Sequence, residues 1–317
     1  MTDLVTFGET MLRLSPPRGQ RLEAVSEFDV TVGGAESNVA VVASRFGHEV
    51  RWLSRVPESP LGRRVTGELR RHGVEPAVDW ANSGRLGTYY LEHGAEPRGT
   101  AVVYDREHSA FTDVSVGGLP TEGLETAELF YTSGITPGLS AATATATEQL
   151  LRRASEADVR TAFDLNYRSK LWEPAPARQT FESLLAYVDV LFAPERDAET
   201  VLGLSGSPTE QAATLANEYD IETVVVTRGA DGALCRHGDE VFEQSVYETE
   251  TIDPIGTGDA FVGGFLGRHL HGADPADALA HAAASAALKR TIKGDQAIIT
   301  PQEVRTVVDD GGADISR

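Results

Sequence analysis

Residues 253–265 read D-P-I-G-T-G-D-A-F-V-G-G-F and hold the densest chemistry in the chain. Gly256 and Gly258 make a tight turn that leaves backbone N–H groups uncovered. From Ala260 onward the residues turn apolar and then small, as in a buried helix. A glycine turn that opens a helix is an anion site, because its amides point outward and the helix dipole adds about half a positive charge. A phosphate can be held there without a lysine. Asp259 does not suit such a site as a binder, since a carboxylate repels phosphate, and its place beside the amides suits a proton acceptor. By itself G-x-G-D is also what an ordinary aspartate-capped helix looks like. The elements that would position it have to decide.

Those elements alternate. Residues 4–7 read as a short buried strand closed by Gly8. A weakly alternating piece, 21–32, is interrupted by Gly33 and Gly34, which let backbone approach a ligand or simply make a flexible turn. Helical spacing follows from Glu36 to Phe46 and stops at Gly47. A strand at 50–53 and a helix at 61–72 continue the pattern. Residues 88–92 and 101–104 are β-type runs separated by H-G-A-E-P-R-G, a hairpin that with the segment 10–32 forms a small lid sheet. Tyr104 and Arg106 stand two apart and face one side of a strand; with Tyr90 they offer a guanidinium beside phenols, a grip for a carboxylate. Solvated arginine and half-buried tyrosines are the plain alternative.

From residue 129 strands at 129–132, 161–164, 188–192 and 223–227 alternate with helices at 141–154, 178–186 and 209–218. This predicts a parallel sheet covered on both faces, with ligands outside the carboxyl ends of its strands. Asp164, Asn166 and Arg168 follow one such strand, Asp197 another, and the run T-R-G-A-D-G from Thr227 to Gly232 a third. Residues 276–290 read as an alanine-rich helix and 309–317 as a polar tail.

Charge narrows the function class. The chain of 317 residues has 48 acidic against 28 basic residues, a formal net of −20, and its only lysines are Lys170, Lys289 and Lys293. Such a surface repels nucleic acid and anionic membrane. A single cysteine, Cys235, excludes an internal disulfide and suits a reducing cytoplasm. Neither a signal peptide nor a membrane-length apolar run is seen, so a soluble cytoplasmic protein is expected. No lysine follows a glycine, which excludes a P-loop, and the nearest match to G-x-G-x-x-G has Phe261 in the third glycine position.

The run at 253–265 resembles the carboxy-terminal signature of the ribokinase-like (PfkB) family of sugar kinases, and G-G-A-E-S-N-V-A from Gly33 resembles its amino-terminal signature. Within that family D-L-N-Y-R-S-K-L-W, residues 164–172, looks like the 2-keto-3-deoxygluconate kinases. The acid-rich, lysine-poor surface looks like that of proteins from salt-loving archaea. The resemblance implies one ribokinase-like α/β domain over 1–317: a mostly parallel sheet with helices on both faces and a β-sheet lid from segments of about 10–32 and 86–112. It implies ATP and Mg²⁺, and phosphorylation of 2-keto-3-deoxygluconate at its primary hydroxyl. Asp259 would be the base, with amides of Gly256, Thr257 and Gly258 as the anion hole. Gly33, Gly34, Asn38, Tyr90, Tyr104, Arg106, Arg168, Asp259 and Asp295 would contact the sugar acid. Asn166, Arg168, Thr227, Arg228, Gly229 and Gly232, with the 256–258 turn, would contact nucleotide. Where the family has N-x-x-E the chain has Pro194 and Asp197, and Asp197 would be an outer-shell magnesium carboxylate. Lid sheets of this kind pair, implying a dimer or higher homo-oligomer. Two alternatives stay open: a fructokinase or ribokinase, whose neutral sugars give Arg106 and Arg168 no carboxylate to bind, and a non-catalytic sugar-acid or nucleotide sensor, which has no reason to keep Asp259.

Overall fold

The computed structural model describes residues 2–310. The chain opens with β1 (Leu4–Phe7), β2 (Met11–Ser15), β3 (Asp29–Gly33), α1 (Ala35–Arg45), β4 (Val50–Pro57), α2 (Pro60–Arg71), β5 (Val74–Ala81), β6 (Thr88–Glu92) and β7 (Ala101–Asp105). Regular alternation follows in β8 (Leu129–Ser133), α3 (Ala141–Glu156), β9 (Arg160–Asp164), α4 (Pro174–Leu185), β10 (Val190–Phe192), a short α5 (Glu195–Asp197), α6 (Pro208–Tyr219) and β11 (Thr223–Thr227). A hairpin of β12 (Ala233–His237) and β13 (Glu240–Gln244) precedes α7 (Thr257–Leu270), α8 (Pro275–Arg290) and α9 (Pro301–Asp310).

Nine strands form one sheet in the order β13-β12-β11-β10-β9-β8-β1-β4-β5. Its pairs are parallel from β11 to β5, and β12 alone runs against the others, pairing antiparallel with both β11 and β13. The strands β1, β8 and β10 are buried at every residue, as expected for parallel strands with both faces covered. One apolar core includes Leu150, Phe163, Phe181 and Leu215, on the side of α3, α4 and α6. The other includes Val39, Trp52, Phe265 and Leu279, on the side of α1, α7 and α8. Local chemistry starts these helices. Ser140 and Ser207 each make a capping box, with Thr143 and Glu210, and the Asp274 carboxylate accepts from the Asp277 amide at 2.9 Å.

A separate four-stranded sheet has the order β3-β2-β6-β7. Both predicted lid hairpins are present, β2 pairing antiparallel with β3 and β6 with β7, and they join through a parallel β2–β6 pair. Four elements were not expected from the sequence: β5, the short α5, β13 and α9. In β5, Pro76 and the charged Glu75 and Asp79 break the apolar pattern, which is tolerable because the strand pairs on one side only, with β4. The tail read from residue 309 lies outside the described residues beyond 310; its first two residues finish α9. Among the described residues no helix is long and apolar enough to cross a membrane.

Candidate active site

The carboxyl ends of β1, β8, β9, β10 and β11 and the underside of the small sheet enclose a cavity of about 770 Å³. At its centre is the amino terminus of α7. Gly256 takes φ +81°, and a Cβ there would lie 2.0 Å from the Asp295 carbonyl oxygen, so the turn tolerates only glycine. Asp253 shapes the approach, its Oδ1 accepting from the Ile255 amide at 3.1 Å and its Oδ2 from the Gly294 amide at 3.1 Å. Beneath it Lys289, fully buried, donates to the carbonyls of Asp253 and Ile292 at 3.3 and 3.0 Å. Asp259, in the first turn of α7, accepts from Asn38 Nδ2 at 2.6 Å. Burial pushes its carboxyl up to about 6, against the opposing pull of Asn38 and the Arg168 charge. The result is a carboxylate that is ionised at neutral pH and still a useful base.

Asn38 sits on α1, directly after the double glycine. A Cβ on Gly34 would lie 2.2 Å from the Glu9 carbonyl oxygen, and one on Gly33 would lie 2.6 Å from Asp295 Oδ1 and 2.7 Å from the Tyr89 hydroxyl. Both glycines are therefore close-approach positions that line the cavity, and the flexible-turn alternative does not hold. Next to them Glu36, fully enclosed, accepts from Ser133 Oγ and Thr136 Oγ1, each at 2.8 Å, and burial pushes it to about 7.

The small sheet contributes one face. Tyr89 and Tyr104 are cross-strand partners with ring centroids 5.9 Å apart, and both line the cavity. Tyr90 does not. It stands opposite Val103, and its ring packs edge-on against Phe28 at 6.0 Å. Successive side chains of a strand alternate faces, so the aromatic contact expected of Tyr90 falls to Tyr89. Arg106 lines the cavity with its guanidinium 5.8 Å from the Tyr104 ring centroid. It is not the free cation that the spacing suggested, because Nε donates to Glu9 Oε2 at 2.9 Å and Nη2 bonds the same oxygen. Asp295, 4% exposed, accepts from the Tyr89 hydroxyl and from Arg13 Nη1 at 2.9 Å. Burial raises its carboxyl, while Arg13 and Tyr89 hold it down.

The opposite wall comes from the loops after β9 and β10. Asn166 adopts φ +38° and its amide caps Asp164 Oδ1 at 3.1 Å. The Tyr167 amide donates to Asp197 Oδ2 at 3.0 Å, tying the two loops together. Asp164 is pushed well above the ordinary range by burial and by the charges of Asp197 and Asp259; Asp197 is raised by burial. Two buried carboxylates whose ionised forms are disfavoured, with oxygen donors only, fit a hard divalent cation that keeps most of its waters. No group of three or more His, Cys, Asp or Glu among the described residues could hold a metal by itself. Arg168 is exposed in this wall and has no ion-pair partner among the described residues. Thr227 lines the cavity, whereas Arg228, Gly229 and Gly232 do not; Arg228 pairs with Glu243 at 3.1 Å, and the glycines turn β11 into β12.

Of the lining residues, Glu9, Glu36, Tyr89, Lys170 and Arg196 were not singled out from the sequence. The doublet Tyr89-Tyr90 held a signal, since one of two neighbours on a strand must face the site. Glu9 offered none, being separated from its partner Arg106 by 97 positions.

Comparison with known proteins bears on this arrangement. The profile described as pfkB family carbohydrate kinase matches residues 1–302. A 2-dehydro-3-deoxygalactonokinase of Haloferax volcanii is 56% identical over 315 residues, 99% of each chain. A 2-dehydro-3-deoxygluconokinase of Thermoproteus tenax is 29% identical over 313 residues, covering 97% of this chain and 94% of that one. The crystal structure of a 2-dehydro-3-deoxygluconokinase from Thermotoga maritima superposes with a TM-score of 0.91 at 35% identity, covering 97% of this chain and 98% of that one.

Proposed function

The chain belongs to the pfkB family of carbohydrate kinases, and from that premise we propose that it transfers the γ-phosphoryl group of ATP to the primary hydroxyl of a 2-keto-3-deoxy sugar acid. One observation supports this above the rest: a carboxylate, Asp259, is held by Asn38 beside an amide-lined helix start, in the same cavity as two cations, Arg106 and Arg168. A neutral sugar would leave Arg168, which has no ion-pair partner among the described residues, without a counter-charge, and would leave the remaining donors of Arg106 unused.

In this reading Asp259 takes the proton of the acceptor hydroxyl while the amides at residues 256–259 hold the charge that builds on the transferring group. Phosphoryl transfer needs little else than positioning and neutralisation. Arg168 meets the acid or the phosphates from the loop after β9, and Tyr89, Tyr104, Arg106 and Asp295 orient the sugar acid from the small sheet and the 294–296 loop. Asp164 and Asp197 would hold Mg²⁺ through water. When bound with nucleotide, that ion would supply neutralisation of phosphate charge. Closing the small sheet over the cavity excludes water that would hydrolyse ATP. On the face of that sheet away from the cavity the outer strand exposes Val103 at 54%, and we read this face as the one on which copies of the chain pair.

The C4 configuration of the acid separates two substrates. The gluconate-type acid is the one suggested by the D-L-N-Y-R-S-K-L-W run, and the relative at 56% identity carries the galactonate name, so both belong in the test. An ATP-consumption screen in molar potassium chloride should show kcat/KM for either acid about 10- to 100-fold above that for fructose or ribose, the size of one or two charge-assisted hydrogen bonds. Equal turnover of neutral sugars would sink the sugar-acid reading. ATP bound without acceptor-dependent consumption would point to a sensor instead.

Tyr89→Phe should raise KM for the acid by roughly 2- to 10-fold, the loss of one hydrogen bond, and Tyr90→Phe should leave it unchanged. Steady-state kinetics of the two variants check the strand register. The reverse outcome would mean that Tyr90 faces the acceptor.

A further inference from the structure

Glu9 lies between β1 and β2, where the main sheet passes into the small one, and is 5% exposed. A carboxylate at that depth is costly unless paired. Its partners come from the other lid segment: Arg106 donates through Nε and Nη2 to Oε2, and Ser109 Oγ donates to Oε1. The space around it is tight as well. A Cβ on Gly87 would lie 2.9 Å from Glu9 Oε1, and a Cβ on Gly34 would lie 2.2 Å from the Glu9 carbonyl oxygen. The carboxylate is thus wedged between segments that carry the acceptor-facing residues.

Arg106 has a different standing. It follows β7, whose residues are mostly exposed, and its side chain, 10% exposed, is held by Glu9 and lies 5.8 Å from the Tyr104 ring centroid. Without Glu9 such an arginine would sample several rotamers, and fixing it at the moment of binding would cost affinity. The guanidinium has five N–H donors, of which Glu9 takes two, so donors remain for a substrate carboxylate.

We propose that Glu9 is a positioning residue for the acceptor site: it does not itself hold the sugar acid but fixes Arg106 against the core so that the guanidinium is preorganised to receive the acid's carboxylate. This rests on the sugar-acid reading above. A residue that acts only through Arg106 must lose its effect when Arg106 is absent, and it must act on the acceptor and not on the nucleotide.

The test is steady-state kinetics of the wild type, Glu9→Ala, Glu9→Gln, Arg106→Ala and Glu9→Ala/Arg106→Ala with ATP and both 2-keto-3-deoxy acids. Glu9→Ala should raise KM for the acid about 10- to 100-fold, the size expected for a charge-assisted contact. The KM for ATP should stay within about twofold. Glu9→Gln, whose amide oxygen still accepts from Arg106, should show a smaller rise in the same parameter. In the Arg106→Ala background the further change from Glu9→Ala should be less than about threefold. An unchanged acceptor KM in Glu9→Ala, an equal rise in both KM values, or full additivity in the double variant would overturn the proposal. Should Glu9→Ala fail to fold, an unchanged acceptor KM in Glu9→Gln overturns it equally. A wild type that phosphorylates neither acid removes the sugar-acid reading and this inference together; an active wild type insensitive at Glu9 removes only the inference.

Discussion

Asp259→Asn is expected to lower turnover by about 10²- to 10⁴-fold, the usual loss for a general base, and at the same time to make the protein more resistant to heat near neutral pH. Both effects come from one cause. Burial moves the Asp259 carboxyl from 3.8 to about 6, so the folded state holds this proton more tightly than the unfolded chain does. Stability therefore falls as pH rises from the unfolded value through about 6, and above that window the fold carries an ionised group at a cost. Asparagine keeps the shape, can still accept from Asn38 Nδ2 through its carbonyl oxygen, and never ionises. The gain in melting temperature over the wild type should be small at about pH 4 and larger at about pH 8, as calorimetry at the two values would show. The wild type should lose kcat/KM on the acid side with an apparent pKa of about 6, and the residual activity of the variant should lack that limb. Turnover within tenfold of the wild type would remove Asp259 from the role of base.

Much of this site could be read before the fold was known, and what could be read has a common property. The cradle at residues 256–259 is one contiguous run, and its glycines are dictated by backbone conformation at Gly256, so sequence alone displays it. The parallel strands were legible because both faces are covered, leaving short apolar runs between helical segments. Orientation within the small sheet was not legible. T-Y-Y-L-E has two adjacent tyrosines, and only pairing with β7 decides which one looks inward. Arg13 and Glu9 were hidden for another reason: their partners lie 240 and 97 positions away, and no local periodicity records such a pairing. The nucleotide loop shows the converse. T-R-G-A-D-G is conspicuous as a run, yet Arg228 and the two glycines stand away from the cavity and only Thr227 reaches it.

Arg13→Ala should cost about 3–5 kcal/mol of stability, the range for breaking a buried ion pair by removing one partner. Arg13 is 1% exposed, and its guanidinium makes four bonds, to Asp253 Oδ2 at 2.8 Å, Asp295 Oδ2 and Ser15 Oγ at 2.9 Å, and His93 Nε2 at 2.8 Å. Without it two buried carboxylates face each other, and the nearby Lys289 ammonium is already engaged with main-chain carbonyls. Ionised Asp253 is also what receives the Ile255 and Gly294 amides, so the loss reaches the anion cradle from below. Thermal unfolding should therefore move down by roughly 5–15 °C, and turnover should fall in the surviving folded fraction. Asp253→Asn combined with Asp295→Asn in the Arg13→Ala background should restore part of the stability, because it removes the charges left uncompensated, without restoring activity. A melting temperature within about 2 °C of the wild type for Arg13→Ala would mean that water takes over the guanidinium's bonds, and that the small sheet is not fastened to the catalytic turn through this residue.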